Sequence, residues 1–530
     1  MYKSKDWNFT RNCFLKWLDN NELKEELCKH IRLENLSIWW MTRLMDKDIV
    51  FDNKWYINLN DKLNKKKNSQ NNNFFYLRMI IKLLKNFIKN IFFISFIKIF
   101  FKSKNVGSKK NLNCYYSMLA DLTYHKNVVL NGCFSFAPLK RKKNNCYLTD
   151  LQPSFKMILN YFEIRKKISL LPAKNFILHD YISYGEIFKI YAKTFSLFIK
   201  TLKILSKKNY FILKKNDCSK ILRPKLIESF FGNIQDALIL SIAIKKFLKK
   251  NDYKNFITNG EFYPNFRSIY AYIKSLKRRP KILLINHADY NKDNLFLYLN
   301  KKDFSKNTKK YLRSPEPDLF FSQGTAYAKY LKNIFPNKKV FVVGSFKFDL
   351  AKSINRRTLI RNNIKKINGD KNKKIIVVLT SLKDEDYLVD FLNRCDLSKY
   401  QIILCAHPAY FKFTETYFNK NFNSDFMTLK QYHSREVMVA ADLIISGYAS
   451  LAYEAFFQNL NVIRIENYYR PNWTDKKDYI PVLKNPMYLN KYLNKSKNIP
   501  KSLVTKIEKK YFYKFDQKTY LRFCRIIKRL

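Results

Sequence analysis

An α/β protein whose parallel sheets are covered by helices is the fold class this sequence predicts, and three observations point to it. Ile375–Leu379, Ile402–Leu404 and Leu443–Ile445 are unbroken apolar runs without alternation, as strands buried on both faces require. Each run stops abruptly in small or polar residues: Thr380-Ser381, Ala406-His407-Pro408 and Ser446-Gly447. Helical patterns such as 184–205 and 234–248 lie between further runs of the same kind, the rhythm of strands joined by helical crossovers. A chain of 530 residues is too long for one core, so two or three domains are expected.

Residues 1–72 read as an N-terminal accessory helical region, with helical patterns over 11–18 and 22–31. Its Trp39-Trp40 pair is expected in a core, with sugar stacking as the other use of such rings. Asn64 to Asn73 is the most linker-like stretch. Residues 73–104 form a basic amphipathic pattern. Their longest stretch without charge, Asn90 to Ile97, is far short of the roughly twenty apolar residues that span a bilayer. Arg78, Lys82, Lys85 and Lys89 recur on one side at helical spacing while Phe, Leu and Ile fill the other. Such a helix lies on an anionic membrane surface or packs on a neighbouring domain. Residues 105–308 are expected to form a first doubly wound domain and 309–485 a second, with 486–530 as helices packing back on the first.

The formal charge of +59, from 101 Lys+Arg against 42 Asp+Glu, raises the question of nucleic acid. The lysines are spread along the whole chain, with no RNP, zinc-finger or basic-zipper pattern beside them, so no specific nucleic-acid partner is expected. The nine cysteines never form a C-x-x-C pair and the six histidines show no metal-ligand spacing. Reduced thiols and no structural zinc follow as expectations. The polar start MYKSKDWNFTRN lacks the apolar stretch of an export signal, which implies a cytoplasmic protein, peripheral on the inner face of the membrane.

The segments QIILCAHPAY (401–410) and ADLIISGYASLAYEAFFQNLNVIRI (441–465) each run from a strand into a small polar turn, and the second continues into a helix. Strand, small turn and helix N-terminus is the arrangement that admits a phosphate. Three further segments precede them: PDLFFSQGTAYAKYL (317–331), KKVFVVGSFKFDL (338–350) and KKIIVVLTS (373–381). In this order the five resemble the GT-B glycosyltransferases of bacterial surface carbohydrate synthesis, which make capsule, O-antigen and polyol-phosphate polymers. The resemblance covers 310–480. It implies two Rossmann-like domains facing a central cleft, a nucleotide-sugar donor, CMP- or CDP-linked, in the C-terminal one, and a glycan or lipid-linked acceptor.

On that resemblance His407 stabilises the donor phosphate as the bond breaks, and Ser446, Gly447 and Ser450 cradle it. Glu454 is placed on the nucleotide ribose, or else in a helix salt bridge. Gln323, Gly324, Gly344, Ser345, Thr380 and Ser381 line the cleft. The strand ends at Thr258 and Ile285 offer Glu261 and His287 as catalytic bases, with Asp289 as a third. Asp384-Glu385-Asp386 is the nearest thing to a D-x-D metal motif, but it opens a helical pattern, so no metal and no cofactor are expected. Two other readings stay open: a sugar-nucleotide 2-epimerase-like enzyme, which would favour Gly-Gly where this chain has Gly447-Tyr448, and a non-catalytic basic scaffold binding membrane or polyanion.

Overall fold

The computed structural model describes residues 4–33, 36–46, 53–64, 75–100, 112–118, 122–125, 128–131, 145–151, 162, 175–250, 253–259, 262–286, 298–346, 362–364, 373–381, 384–407, 411–429, 432, 434–447, 449, 451–465, 480–489, 492, 501–514, 516 and 518–530. The chain opens with α1 (Ser4–Asn20) and α2 (Glu22–His30), and the Asn21 side chain caps α2 by accepting the Lys24 N–H at 2.6 Å. A 3-10 turn over Ile38–Met41 then buries both Trp39 and Trp40. Phe14, Leu23 and the two tryptophans share one apolar core with Leu148, Ile244 and Phe256 of the first sheet domain, so this region is continuous with that domain. The Arg267 guanidinium lies over the Trp40 ring at 5.0 Å, and Lys24 pairs with Asp303 at 2.5 Å. Next comes α3 (Phe75–Phe100), the basic amphipathic segment.

The first sheet takes β1 (Leu112–Met118), β2 (Asn145–Asp150) and β3 (Asn175–Ile177), then three helices: α4 (Tyr184–Leu205), α5 (Ser219–Glu228) and α6 (Ile234–Lys249). Ser183 and Glu186 close a capping box at the start of α4. The run α5 to α6 is long and apolar enough to cross a membrane, yet it breaks at Gly232, where φ is +148°, and is mostly buried. Then follow β4 (Tyr253–Thr258), α7 (Pro264–Lys274), β5 (Lys281–Ile285), β6 (Leu319–Ser322), α8 (Thr325–Ile334) and β7 (Lys339–Val342). All neighbours pair in parallel in the order β7-β6-β5-β4-β1-β2-β3, so the winding reverses at β1.

The second sheet is built from β8 (Lys374–Leu379), α9 (Glu385–Leu392), β9 (Tyr400–Cys405), β10 (Phe426–Met427), α10 (Ser434–Val439), β11 (Leu443–Ser446), α11 (Leu451–Phe457), β12 (Val462–Ile465) and β13 (Val482–Leu483). It is also wholly parallel, in the order β10-β9-β8-β11-β12-β13. That is the Rossmann strand order, reversing at β8. Two doubly wound parallel sheets with a helical N-terminal extension make the fold GT-B-like.

The sequence reading placed 309–346 in the second domain. The structure corrects this: β6 pairs with β5, and β7 with β6, so the first domain extends through Phe346. An apolar run states that a strand is covered on both faces, and says nothing of which sheet it joins. At the other end of the chain, α12 (Lys501–Tyr511) adds Ile507, followed by Phe512, to the second domain's core beside Tyr453 and Phe456. The last helix, α13 (Thr519–Arg529), instead sets Tyr520, Phe523 and Ile527 against Leu283, Ile285, Phe321 and Val343 of the first.

Candidate functional site

Where a doubly wound sheet reverses, the loops leaving neighbouring strands part to opposite faces and open a crevice at the carboxyl edge. In the second sheet that point is the end of β8, between β9 and β11. Leu379 is in register with both Cys405 and Ser446, so Thr380, Ala406 and Gly447 leave the sheet at one level. Five sequence-predicted residues therefore gather here: Thr380, Ser381, His407, Ser446 and Gly447. The His407 N–H donates to Thr380 Oγ1 at 3.3 Å, and the Thr380 N–H to Cys405 O at 3.2 Å. Ser446 Oγ is buried without a hydrogen-bond partner among the described residues. A buried hydroxyl left unsatisfied costs about 1–3 kcal/mol, which a bound acceptor atom would relieve. Burial pushes the neighbouring Cys405 thiol up to about 12, so it stays protonated and is no nucleophile at neutral pH.

The reason for glycine at 447 differs from the one the sequence suggested. A Cβ there would run into the Tyr387 hydroxyl and the Asp384 carboxylate, both at the start of α9. Asp384 is buried, and both its oxygens accept the Ser381 N–H at 2.9 Å, while the Gly447 N–H reaches Leu379 O at 3.4 Å. The strand-end amides are thus engaged within the protein, and side chains are left to meet a ligand. Of the two readings of Glu454, the structure shows the salt bridge: its carboxylate is buried and both oxygens accept from Arg435 Nε, at 2.8 and 2.9 Å.

The predicted residues at the ends of β6 and β7 lie elsewhere, packed against the C-terminal segment. A Cβ on Gly324 would meet Lys510 O and Tyr511 O, each at 2.5 Å, and Thr325 Oγ1 donates to Lys509 O at 3.2 Å. Gly344 has a φ of +101°, and a Cβ on it would meet Thr519 Oγ1 at 2.7 Å. The Arg522 Nε donates to Val343 O at 2.6 Å, while its Nη1 holds both Asp516 oxygens at 2.8 Å. Gln323 and Ser345 are buried beside these contacts. A glycine at a strand end permits close approach by a ligand or by the protein itself, and here it is the protein: backbone at Gly324, the Thr519 and Arg522 side chains at Gly344. Glu261, His287, Asp289 and Ser450 lie outside the described residues.

Sequence reasoning missed Arg435, which sits in α10 nineteen residues before its partner with no spacing to betray it. It also missed a buried polar group at the first sheet's carboxyl edge. Tyr116 Oη donates to Asp150 at 3.1 Å, and His179 Nε2 is 4.0 Å from the same carboxylate. Burial drives the His179 pKa down to about 4, against a smaller upward pull from Asp180, and the Phe93 ring of α3 sits edge-on to it at 5.0 Å. Among the described residues no group of three or more His, Cys, Asp or Glu is arranged to hold a metal ion.

No protein-family model matches the sequence, and no curated protein does. Solved structures are similar at low identity. The wall teichoic acid polymerase TagF, soaked with CDPG, is 12% identical over 86% of this chain and 96% of its own, with a TM-score of 0.43. The UDP-GlcNAc 2-epimerase from Neisseria meningitidis bound to UDP-GlcNAc is 10% identical over 79% of this chain and 100% of its own, with a TM-score of 0.41. The Anabaena protein Alr3699/HepE, in complex with UDP and glucose, is 11% identical over 79% and 100%, with a TM-score of 0.42.

Proposed function

We propose that the chain is a metal-independent GT-B glycosyltransferase, or polyol-phosphate transferase, of surface carbohydrate synthesis. Its donor is nucleotide-activated, CMP- or CDP-linked, and its acceptor is a growing polysaccharide or a lipid-linked glycan. The observation that carries the reading is the switch point of the second sheet, where the Ser446 hydroxyl, buried and without a hydrogen-bond partner among the described residues, lies at adjoining strand ends with Thr380 and the half-buried His407. In the reaction an acceptor hydroxyl oxygen bonds to the transferred group. The bond from that group to the donor's phosphate oxygen breaks, and its electron pair stays on the nucleotide. His407, Thr380 and Ser446 donate hydrogen bonds to the oxygens on which charge accumulates. The hydroxyl proton passes to a base of the first domain, for which Glu261, His287 and Asp289 remain the candidates.

A thermal-shift series with CMP, CDP, UDP and GDP at moderate salt, on wild type and His407→Ala, tests this. A nucleotide at a hundred times its dissociation constant adds about 2.7 kcal/mol of stability. The expected result is a selective shift with a cytidine nucleotide that His407→Ala loses. Equal shifts with all four nucleotides that salt abolishes would replace the transferase with the basic polyanion-binding scaffold.

A further inference from the structure

Among the described residues, twelve of the eighteen large apolar side chains left exposed belong to just two helices, α3 and α4, which makes them one surface and not scatter. The helices run antiparallel in contact. Tyr184 Oη donates to Ser95 Oγ at 2.9 Å, Phe87 meets Phe188 and Tyr191 with ring centroids 5.0 Å apart, and Asn90 Nδ2 donates to Tyr191 Oη at 3.0 Å.

Helical periodicity sorts the side chains of α3 into three stripes. Leu83, Phe87, Asn90 and Ile94 face the protein, Leu77, Ile81, Leu84 and Ile88 face out, and Arg78, Lys85 and Lys89 follow the flank away from α4, where Lys82 is paired with Glu228 at 2.7 Å. The same treatment of α4 puts Tyr184, Phe188, Phe195 and Ile199 outward beside α3, and Lys189, Lys193, Lys200 and Lys203 along its far flank. An apolar strip two helices wide thus lies between two basic rails. No acidic residue occurs in α3, the single one in α4, Glu186, is engaged by Ser183 and Lys246, and Glu228 of α5, which meets the α3 rail, is held by Arg43 and Lys82.

From this we infer that α3 and α4 together are the surface by which the protein sits on an anionic lipid bilayer, with the apolar strip among the upper acyl chains and the lysine rails at the headgroups. The sequence identified one helix of this surface. Its second half, on α4, emerges only from the packing, because Phe188, Phe195 and Ile199 read as ordinary core positions along a chain. The rails decide the occupant: a second copy would bring like charges face to face, whereas anionic headgroups complement both rails at once. The inference is independent of the nucleotide reading.

Flotation of the full chain with phosphatidylcholine vesicles and with equimolar phosphatidylcholine and phosphatidylglycerol vesicles is the test. Wild type is expected to float with the anionic vesicles. Ile81→Ser with Ile88→Ser on α3, and separately Phe195→Ser with Ile199→Ser on α4, should each lower partitioning at least about tenfold. Lys189→Ala, Lys193→Ala and Lys200→Ala together should lower it roughly a hundredfold, about fivefold for each charge near the surface. All these positions are exposed, so melting temperature and the nucleotide shift should be unchanged. As a gain of signal, an Ile199→Trp variant should acquire emission that brominated lipid quenches. Failure of wild type to float, α4 variants that float like wild type, or a dimer that the serine variants dissociate would each overturn the inference.

Discussion

Arg435 and Glu454 show how a residue that looks chemical can be structural. The carboxylate has no exposure and the guanidinium little, so removing one partner strands the other's charge out of water. Glu454→Gln should cost about 3 kcal/mol of stability in urea unfolding, and the nucleotide shift measured well below the melting point should survive it. Loss of the shift with unchanged stability would return Glu454 to the ligand. Gly447→Ala makes the opposite test, because its new methyl would press on the Asp384 carboxylate that holds the Ser381 N–H. Overpacking of this kind costs roughly 1–3 kcal/mol, and it should abolish nucleotide binding along with it. Ser446→Ala, which removes a hydroxyl without a partner among the described residues, should leave stability unchanged or slightly raised while weakening the nucleotide shift.

Single elements carry their own consequences, and His179, between β3 and α4, is one. Its buried ring holds its proton only below about pH 4 in the folded protein, against an ordinary value of 6.5. Between these values the unfolded chain binds the extra proton, so stability is complete above about pH 6.5 and falls as the pH drops through 4. The full loss is roughly 3 kcal/mol. Urea unfolding at steps from pH 7 to 4 should show this slope, and His179→Phe should flatten it. The elements themselves were largely legible: the runs at 375–379, 402–404 and 443–445 became β8, β9 and β11, and the pattern at 184–205 became α4, because burial on both faces and helical periodicity are written locally. Glycines were not legible in the same sense. Gly324, Gly344 and Gly447 signal that something comes close, but a phosphate, a peptide carbonyl and a packed side chain make the same demand. Arg435 and the outward ring of Phe195 depend on neighbours distant in sequence, so no local pattern could have assigned them.

At the scale of the whole molecule, the two domains are joined a second time by the stretch from the end of α12, which packs on Gly324, to the start of α13, which packs on Gly344. Phe523→Ala, which empties a buried site edge-on to Phe321, should cost about 3 kcal/mol. Hydrogen exchange should show the loss of protection in β5 and β6 with β8 and β9 unaffected; equal loss in both sheets would mean that α13 supports the second domain as well. The position of α13 also bears on how the protein is made. Phe523 follows Val342, the last residue of the first sheet, by 181 residues. At about 5–20 residues per second, the nascent first domain holds Leu283, Phe321 and Val343 uncovered for roughly ten to forty seconds while the entire second domain is translated. Its earliest-made domain is therefore among the last to close, and during that interval it carries an open apolar face that the finished molecule never shows.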